Sequence, residues 1–399
     1  MLNKDWPERS CPICHHSQKT LLHRQNFSEI SEGSLLDGYD VVVCQQCGYG
    51  FADRIPEQAI FDAYYQGMSK YENQENLGQP NSYDWKRFNL VVDQLKPFLI
   101  STRTQILEIG CATGGLLSLL KANGQTSVMG LDPSLACART ALKDYQIKVE
   151  VGSLFNHPLN QSFEFLILIG VMEHIENLQK GVIALADLLG ENGRVYIEVP
   201  DALHFADWPD APYQQFSTEH INFFSPVSLQ NLMHQNGFKT LQCFQAVREH
   251  NYRSMMPVVC GLFEKQSSYK APLDFDKETQ SALQAYIQAS KEVDAHLQEV
   301  IEEIVQSQTP IYVWGVGTHT QRLLVESALG KAHITAFIDS NPNYHGKTLQ
   351  NIPILPPQAV ENQPQTPILI SSKVFQKEIE DTIRQQYKYS NPLICLYRV

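Results

Sequence analysis

The sequence predicts an α/β protein built around a doubly wound parallel sheet, with a small cysteine-rich unit before it and a second, Rossmann-like α/β unit after it. Three observations support this fold class. One is the pair of CxxC motifs near the start, and the other two are glycine-rich turns that each follow an apolar run and precede a helical pattern. Strands that alternate with helices form parallel sheets, and such sheets bind ligands at the carboxyl ends of their strands. We place the predicted domains at residues 1–55, 56–250, 251–308 and 309–399.

The composition disfavours several classes of protein. The 399 residues are 43% hydrophobic and 19% charged, as in ordinary globular domains, and the length suits two or three of them. No apolar run is long enough to cross a bilayer and the first residues lack an apolar signal core, so we expect a cytoplasmic protein without a membrane partner. A net charge of −12, with no cluster of Lys or Arg, argues against nucleic acid as a partner.

The first 55 residues predict a zinc site. Two pairs with CxxC spacing, Cys11 with Cys14 and Cys44 with Cys47, supply four thiolates, and four such ligands close a tetrahedral zinc site. A redox-active CxxC is the alternative, although it needs only one pair. Because a four-cysteine site leaves no position open for water or substrate, we expect a structural role. Five Lys or Arg against seven Asp or Glu in this unit disfavour an RNA-binding clamp.

The segment 106–117 predicts a nucleoside site. Its apolar run passes Glu108, enters a glycine-rich turn at Gly110 and leads into a helical pattern, and Asp132 closes the next predicted strand 22 positions after Gly110. An acid at that place can accept hydrogen bonds from ribose hydroxyls. The spacing would also suit a dinucleotide, but the charge of Glu108 repels phosphate and favours a cation such as a sulfonium.

This segment resembles the first motif of class I S-adenosylmethionine-dependent methyltransferases, with Ala112 where the middle glycine usually stands. The resemblance implies a set of cofactor-binding residues along the glycine turn and after the next two strands. That set is Glu108, Gly110, Cys111, Gly114, Asp132, Pro133 and Ser153.

The stretch 216–226 holds the candidate catalytic residues. Glu219 and His220 stand side by side among aromatic residues, after the last strand on the cofactor side. A histidine beside a carboxylate suits a general base near neutral pH. The alternative is that both residues only cap and pack a turn before the helix predicted at 227–235. His174, in the loop after the apolar strand 163–169, is the second candidate, and its alternative role is to shape the cofactor pocket.

Residues 251–308 are predicted to form a helical connector, because apolar residues recur at spacings of three and four from Leu283 to Ile304. Beyond it, the stretch 311–320 is again strand, glycine turn and helix start, and Asp339 closes the next strand.

No acid precedes this second turn, so it suits phosphate oxygens at a helix N-terminus. Thr320 stands where a dinucleotide fingerprint has its third glycine, which disfavours NAD and favours a nucleoside diphosphate. A unit kept only for structure is the alternative. The predicted substrate-binding residues are Gly315, Gly317, Thr318, His319 and Asp339.

Together these segments resemble the three-domain sugar C-methyltransferases, which methylate carbon 3 of nucleotide-linked 4-keto-deoxysugars. The resemblance implies that His220 acts as base, with Glu219 beside it and His174 in the pocket. The family often has Tyr-His-Glu-His where this chain has the four residues 217–220, Ser-Thr-Glu-His. The resemblance also makes Tyr71 a candidate for closing over the cofactor. Residues 337–347 are further similar to nucleotide-sugar-binding domains of sugar acyltransferases.

The sequence therefore predicts an S-adenosylmethionine-dependent methyltransferase with a structural zinc ion. Its acceptor would be a nucleotide-diphosphate-linked keto-sugar, methylated on carbon through an enolate. The alternatives are O- or N-methylation of a sugar or other small metabolite, RNA methylation, and a non-catalytic scaffold. The intact pattern of Glu108, Gly110 and Asp132 disfavours the scaffold, and the negative charge disfavours RNA. No pattern in the sequence indicates an oligomeric state.

Overall fold

The computed structural model describes residues 6–31, 34–67, 80–209, 211–251 and 254–397. The strands in chain order are β1 (Lys19–Asn26), β2 (Gly38–Cys44), β3 (Gly50–Asp53), β4 (Ile106–Ile109), β5 (Val128–Asp132), β6 (Val149–Val151), β7 (Phe163–Ile169), β8 (Leu189–Pro200), β9 (Asn222–Phe223), β10 (Phe238–Asn251), β11 (Ser254–Lys265), β12 (Ile311–Trp314), β13 (Ile334–Ile338), β14 (Thr348–Leu349), β15 (Ile352–Leu355), β16 (Ile368–Ile370) and β17 (Leu393–Cys395).

The α-helices in chain order are α1 (Gln58–Gly67), α2 (Ser82–Leu95), α3 (Gly115–Ala122), α4 (Leu135–Thr140), α5 (Leu178–Leu188), α6 (Pro226–Gln235), α7 (Thr279–Ser307), α8 (Thr318–Glu326) and α9 (Gln376–Asp381). None of the helices in these ranges combines the length and the apolar character that a membrane span requires.

The central sheet has seven strands in the order β10-β11-β8-β7-β4-β5-β6. The five strands β4 to β8 run parallel, as predicted. β10 and β11 run antiparallel at one edge, which makes the sheet mixed rather than wholly parallel. The middle strands β4 and β7 are almost entirely buried because helices cover both faces. The α/β, Rossmann-like fold predicted from the sequence is confirmed in this central sheet.

The predicted connector at 251–308 is wrong in its first part. Residues 254–265 form β11, which pairs with β8 from Val258 opposite Pro200 to Glu264 opposite Arg194. β11 is buried along most of its length, so its sequence is a continuous apolar run. Such a run does not distinguish a buried strand from a buried helix by periodicity. The helix proper is α7, and it begins only at Thr279.

Helix α7 joins two hydrophobic cores. Leu283 and Tyr286, in its first half, pack into the cluster around the N-terminal sheet. Leu297 and Ile301, in its second half, pack into the cluster of the C-terminal sheet. That third sheet has the order β14-β15-β13-β12-β16-β17, and it is parallel except for the β14–β15 pair. The apolar spacing of three and four therefore serves packing against two units.

The N-terminal sheet is completed by the middle of the chain. β1, β2 and β3 pair antiparallel, and β9 adds to β3 with Gly50 opposite Phe223. Ser225, two residues after β9, caps α6 by accepting a hydrogen bond from the Ser228 amide, and Pro226 occupies the first helical turn. The predicted catalytic stretch is thus held between the cysteine-bearing sheet and a well-capped helix.

Candidate active site

The glycine turn after β4 has a backbone that side chains rarely tolerate. Gly110 and Gly114 have φ angles of 72° and 78°, and Ala112 has a φ of 46°. A Cβ on Gly110 would lie 2.7 Å from Cγ2 of Val171, so the neighbouring loop requires glycine there. Ala112, which replaces the usual glycine, takes the left-handed conformation at a cost of roughly 1–2 kcal/mol.

Asp132 holds this turn in place. Its Oδ2 accepts a hydrogen bond from the Ala112 amide at 2.8 Å, and its Oδ1 accepts one from the Ser134 amide at 2.9 Å. Burial raises the pKa of Asp132, while these two backbone amides oppose the shift. The carboxylate therefore supports the loop and at the same time lines the cleft beside it.

The cleft has a volume of about 290 Å³ and opens at the carboxyl ends of the parallel strands. Its walls include six of the residues that the sequence singled out: Gly110, Asp132, Pro133, Ser153, His174 and Glu219. They also include four residues of α1 that sequence reasoning did not assign: Gln58, Asp62, Tyr64 and Tyr65.

Four predicted residues lie behind the walls of the cleft. Gly114 caps the start of α3. Cys111 is buried against Gly130, where a Cβ would come within 2.3 Å of its sulfur, and burial raises the pKa of its thiol. His220 lies beside His174, as described below, and Glu108 lies beneath the turn. Tyr71 lies outside the described residues.

Glu108 is a buried carboxyl that a cation would suit. Its side chain is 5% exposed and its Oε2 has no hydrogen-bond partner among the described residues. Burial, and after it the charge of Asp132, raises the pKa of Glu108 well above its ordinary value. A nearby positive charge would favour the ionised form. The buried acids and the glycine backbone of this turn thus fit a cationic sulfonium nucleoside such as S-adenosylmethionine.

The structure brings His174, Glu219 and His220 together. The ring centroids of the two histidines are 5.1 Å apart in an edge-to-face arrangement. Nδ1 of His174 lies 2.9 Å from the carbonyl oxygen of Glu219. Since a carbonyl only accepts, this nitrogen carries the hydrogen, and Nε2 keeps its lone pair when the ring is neutral.

Two tyrosines of α1 complete the cluster. The Tyr65 hydroxyl lies 3.1 Å from Nδ1 of His174, and the Tyr64 hydroxyl donates to Oε1 of Glu219 at 3.3 Å. Burial, and then the charge of Glu219, raises the pKa of both phenols, so they stay neutral. Tyr64 also hydrogen-bonds with Tyr344 of the C-terminal unit. Each tyrosine contacts a residue more than 100 positions away in the sequence, and no local sequence pattern indicates such contacts.

Glu173 adds a second buried acid to this cluster. It is 3% exposed, burial raises its pKa, and its Oε2 has no partner among the described residues. Ligand-type atoms of Glu173, His174 and His220 all lie within 4.8 Å of one another. This group of side chains can therefore bind or exchange a proton, or attract a cation.

The four predicted zinc ligands converge. The sulfur atoms of Cys11 and Cys47 are 3.6 Å apart, those of Cys14 and Cys44 are 3.4 Å apart, and all four lie within 4.8 Å of one another. Hydrogen bonding with Cys44 raises the pKa of Cys11 to about 12, and the same contact lowers the pKa of Cys44. These spacings fit zinc–sulfur bonds of about 2.3 Å in a tetrahedron.

The C-terminal turn repeats part of the first one. Gly315 has a φ of 98°, Gly317 caps α8, and Oδ2 of Asp339 accepts from the Val316 amide at 3.0 Å. Thr318 brings this turn to the catalytic stretch, because its Oγ1 lies 3.3 Å from Oγ1 of Thr218. The two predicted binding regions are therefore neighbours.

His319 departs from its predicted role as a donor to phosphate. It is 9% exposed, and its Nε2 lies 2.7 Å from the Tyr397 hydroxyl. Burial lowers the pKa of His319 to about 3, so the ring is neutral. The second position of α8 faces the core of its own unit, and His319 contributes to packing there.

Comparison with known proteins assigns the central domain. A family described as "Methyltransferase domain" matches residues 83–243, and one described as "C2185-like, N-terminal" matches residues 307–394. An O-methyltransferase of Pyrenophora dematioidea is 26% identical over 212 residues, which cover 49% of this chain and 74% of that protein. A tRNA U34 carboxymethyltransferase of Pseudomonas savastanoi is 25% identical over 205 residues, covering 49% of this chain and 62% of that protein.

The chain contains a methyltransferase domain. The enzyme class predicted from its sequence, an S-adenosylmethionine-dependent methyltransferase, is confirmed. Among solved structures, magnesium protoporphyrin IX methyltransferase from Synechocystis with bound S-adenosylhomocysteine is similar at 15% identity and a TM-score of 0.40. That similarity covers 53% of this chain and all of that one.

Proposed function

We propose that this enzyme methylates a carbon atom of a nucleotide-diphosphate-linked keto-sugar, with His220 as the base. One observation carries the proposal: the His174, Glu219 and His220 cluster adjoins the donor cleft and, through Thr218, touches the glycine turn of the C-terminal unit at Thr318. The proposed base, the donor cleft and the phosphate-type turn thus lie in one region.

In this proposal the donor cleft holds S-adenosylmethionine through Glu108, the Gly110 turn, Asp132, Pro133 and Ser153. When bound, this cofactor supplies an electrophilic methyl group on a positively charged sulfur. The buried acids Glu108 and Asp132 favour that positive charge. Apolar side chains such as Leu131 and Ile169 line part of the cleft, and an apolar surrounding strengthens the attraction between unlike charges.

The cluster beside the cleft provides the base. His220 removes a proton from the carbon next to the carbonyl of the sugar, and the electron pair moves onto the carbonyl oxygen to form an enolate. His174 donates its Nδ1 hydrogen to the Glu219 carbonyl, which orients the ring and leaves the Nε2 lone pair available to accept a proton. The enolate carbon would then take the methyl group as the carbonyl re-forms. The electron pair of the broken methyl–sulfur bond would stay on the sulfur of the departing S-adenosylhomocysteine, and His220 would release its proton to water.

The C-terminal unit anchors the acceptor. Gly315, Gly317 and Thr318 present backbone amides and a hydroxyl at the start of α8, where phosphate oxygens bind favourably. Asp339 fixes this turn as Asp132 fixes the first one. The zinc ion, held by the four cysteines, supports the fold and takes no part in the chemistry.

A second candidate is O-methylation of a small metabolite. It is favoured by the similarity to a relative named as an O-methyltransferase. The same His220 would then take the proton from a hydroxyl. Carboxymethylation of tRNA, the activity in the name of another relative, is disfavoured for this chain by the net charge of −12.

The test combines binding with chemistry. The melting temperature is measured with S-adenosylhomocysteine present, and then with uridine or thymidine diphosphate added. A ligand at about 100 times its dissociation constant stabilises by about 2.7 kcal/mol. We expect further stabilisation by a diphosphate, and carbon methylation by NMR of the product from 4-keto-6-deoxysugars linked to these nucleotides.

Replacement of the base gives the sharper result. His220→Asn should lower kcat by about 10²- to 10⁴-fold while binding of S-adenosylhomocysteine is unchanged. Wild-type turnover by this variant would overturn the role of His220, and a methyl group on oxygen in the product would favour the second candidate.

A further inference from the structure

Asn222 occupies a junction between three parts of the molecule. It is 2% exposed, in the short strand β9. Its Nδ2 lies 2.7 Å from the carbonyl oxygen of Ile175, 3.1 Å from that of Met172 and 3.4 Å from that of Glu173. Its Oδ1 accepts a hydrogen bond from the Tyr49 hydroxyl at 3.0 Å. The NH₂ group of Asn222 therefore donates to the turn, while its carbonyl oxygen accepts from Tyr49.

The partners of Asn222 are the segments that carry the candidate catalytic histidines. The carbonyl groups belong to the turn Met172–His174 and the residue after it. Asn222 itself follows His220 by two positions, and Tyr49 follows Cys47 by two. A backbone hydrogen bond connects the same two segments, because the Ile221 amide donates to the Glu173 carbonyl at 3.0 Å.

The Tyr49 hydroxyl gives the amide a fixed orientation. The Tyr49 hydroxyl is buried and donates to Oδ1 of Asn222. A hydroxyl donating to Oδ1 keeps the NH₂ group of Asn222 turned toward the carbonyl groups of the turn. Without it, Oδ1 would be a buried acceptor with no partner, which is unfavourable and lets the amide rotate.

We propose that Asn222 and Tyr49 are positioning residues through which the cysteine-bearing unit sets the geometry of His174 against Glu219 and His220. Asn222 fixes the turn that carries His174 relative to the strand that follows His220. Tyr49 holds Asn222 in the required orientation. The catalytic meaning of the two histidines rests on the function proposed above, whereas the positioning itself does not.

Tyr39 provides a matched comparison. It is also fully buried, it lies on β2 of the same sheet, and its hydroxyl donates to the catalytic stretch at the Ser217 carbonyl, at 2.9 Å. Within the described part of the chain, the Tyr39 hydroxyl bonds to Ser217 and not to Asn222 or to the turn that carries His174. Loss of the Tyr39 hydroxyl should therefore cost stability without releasing the turn that carries His174.

The experiment compares Tyr49→Phe with Tyr39→Phe in the full chain. NMR of histidine labelled with ¹⁵N reports the tautomer of His174, and calorimetry reports the affinity for S-adenosylhomocysteine. In the wild type and in Tyr39→Phe we expect the Nδ1–H tautomer of His174. In Tyr49→Phe we expect a mixture of tautomers, with the affinity for S-adenosylhomocysteine unchanged within threefold.

Turnover provides the second readout. With a nucleotide-linked keto-sugar, Tyr49→Phe should lower kcat about tenfold with little change in KM, because small misplacements of catalytic groups are costly. The acid limb of its pH–rate profile should also move, while that of Tyr39→Phe should not. Asn222→Ser, which replaces the amide with a shorter hydroxyl, should show the same direction of change.

Two results would overturn the proposal: a wild-type His174 tautomer in Tyr49→Phe, or equal losses of kcat in Tyr49→Phe and Tyr39→Phe that follow their melting temperatures. If no variant, wild type included, turns over the keto-sugar, the proposed function fails. The tautomer of His174 still decides the positioning role in that case.

Discussion

The two glycine turns of this enzyme share a frame and differ in charge. Each follows a buried parallel strand and ends at a helix, and each is braced by an aspartate from the next strand: Asp132 on the Ala112 amide and Asp339 on the Val316 amide. Two positions before the first glycine, however, the first turn has Glu108 and the second has Val313, both buried. The frame is the same, and the residue beneath it sets the charge that the turn prefers.

The backbones differ at the middle position as well. Ala112 has a φ of 46°, whereas Gly317, two residues after the first glycine of its turn, has φ −63° and ψ 174°. Gly317 thus directs the chain straight into α8 and leaves open space where its Cβ would stand. A bound phosphate would explain why a residue with an ordinary backbone conformation is glycine.

The largest effect that would test this comparison comes from Gly317→Asp. The backbone tolerates a side chain and nothing lies within 4 Å of the added Cβ, so folding should be unaffected. An aspartate at the start of α8 would repel phosphate, and a charge pair near a protein surface is worth about 4 kcal/mol at 4 Å. We expect binding of uridine or thymidine diphosphate to fall about 100-fold or more in calorimetry.

Gly317→Asn is the control, because it has the same size without the charge. It should weaken nucleotide binding far less, and neither variant should change the affinity for S-adenosylhomocysteine. Wild-type nucleotide binding by Gly317→Asp would show that the second turn does not bind phosphate.

The sequence was most informative where the function depends on neighbours in the chain. The CxxC pairs and the spacing from Gly110 to Asp132 lie in short segments, and the structure brings each set together. Tyr64 reaches Glu219 over 155 positions and Tyr49 reaches Asn222 over 173. Such pairs form only once the sheets pack, so local periodicity does not contain them.

A smaller effect is expected from Glu108→Gln, which removes the charge beneath the first turn. It should lower the preference for S-adenosylmethionine over S-adenosylhomocysteine about tenfold, a difference of one charge interaction of about 1.4 kcal/mol. In the wild type this preference should grow as pH rises through the raised pKa of Glu108, because ionisation favours the cationic ligand.

The glutamine variant should show no such pH dependence in calorimetry. Its ligand-free form should also lose less stability as pH rises. In the wild type, the contribution of a carboxyl whose pKa is raised on folding is fully present below its unfolded pKa and is lost as the pH rises through its folded pKa. An unchanged preference in Glu108→Gln would mean that the buried acid does not select the cation, and the contrast with Val313 would lose its meaning.

The smallest effect is expected at the middle of the first turn. Ala112→Gly relieves a left-handed alanine, which costs roughly 1–2 kcal/mol, but it adds flexibility to the unfolded chain. We expect a net gain of about 0.5–1 kcal/mol in the free energy of unfolding by urea. Ala184→Gly, within α5, is the matched control and should lose about 1 kcal/mol. A lower free energy of unfolding in both variants would show that Ala112 is not strained. The conformation of the turn would then be set by Gly110 and Asp132 rather than by the residue at position 112.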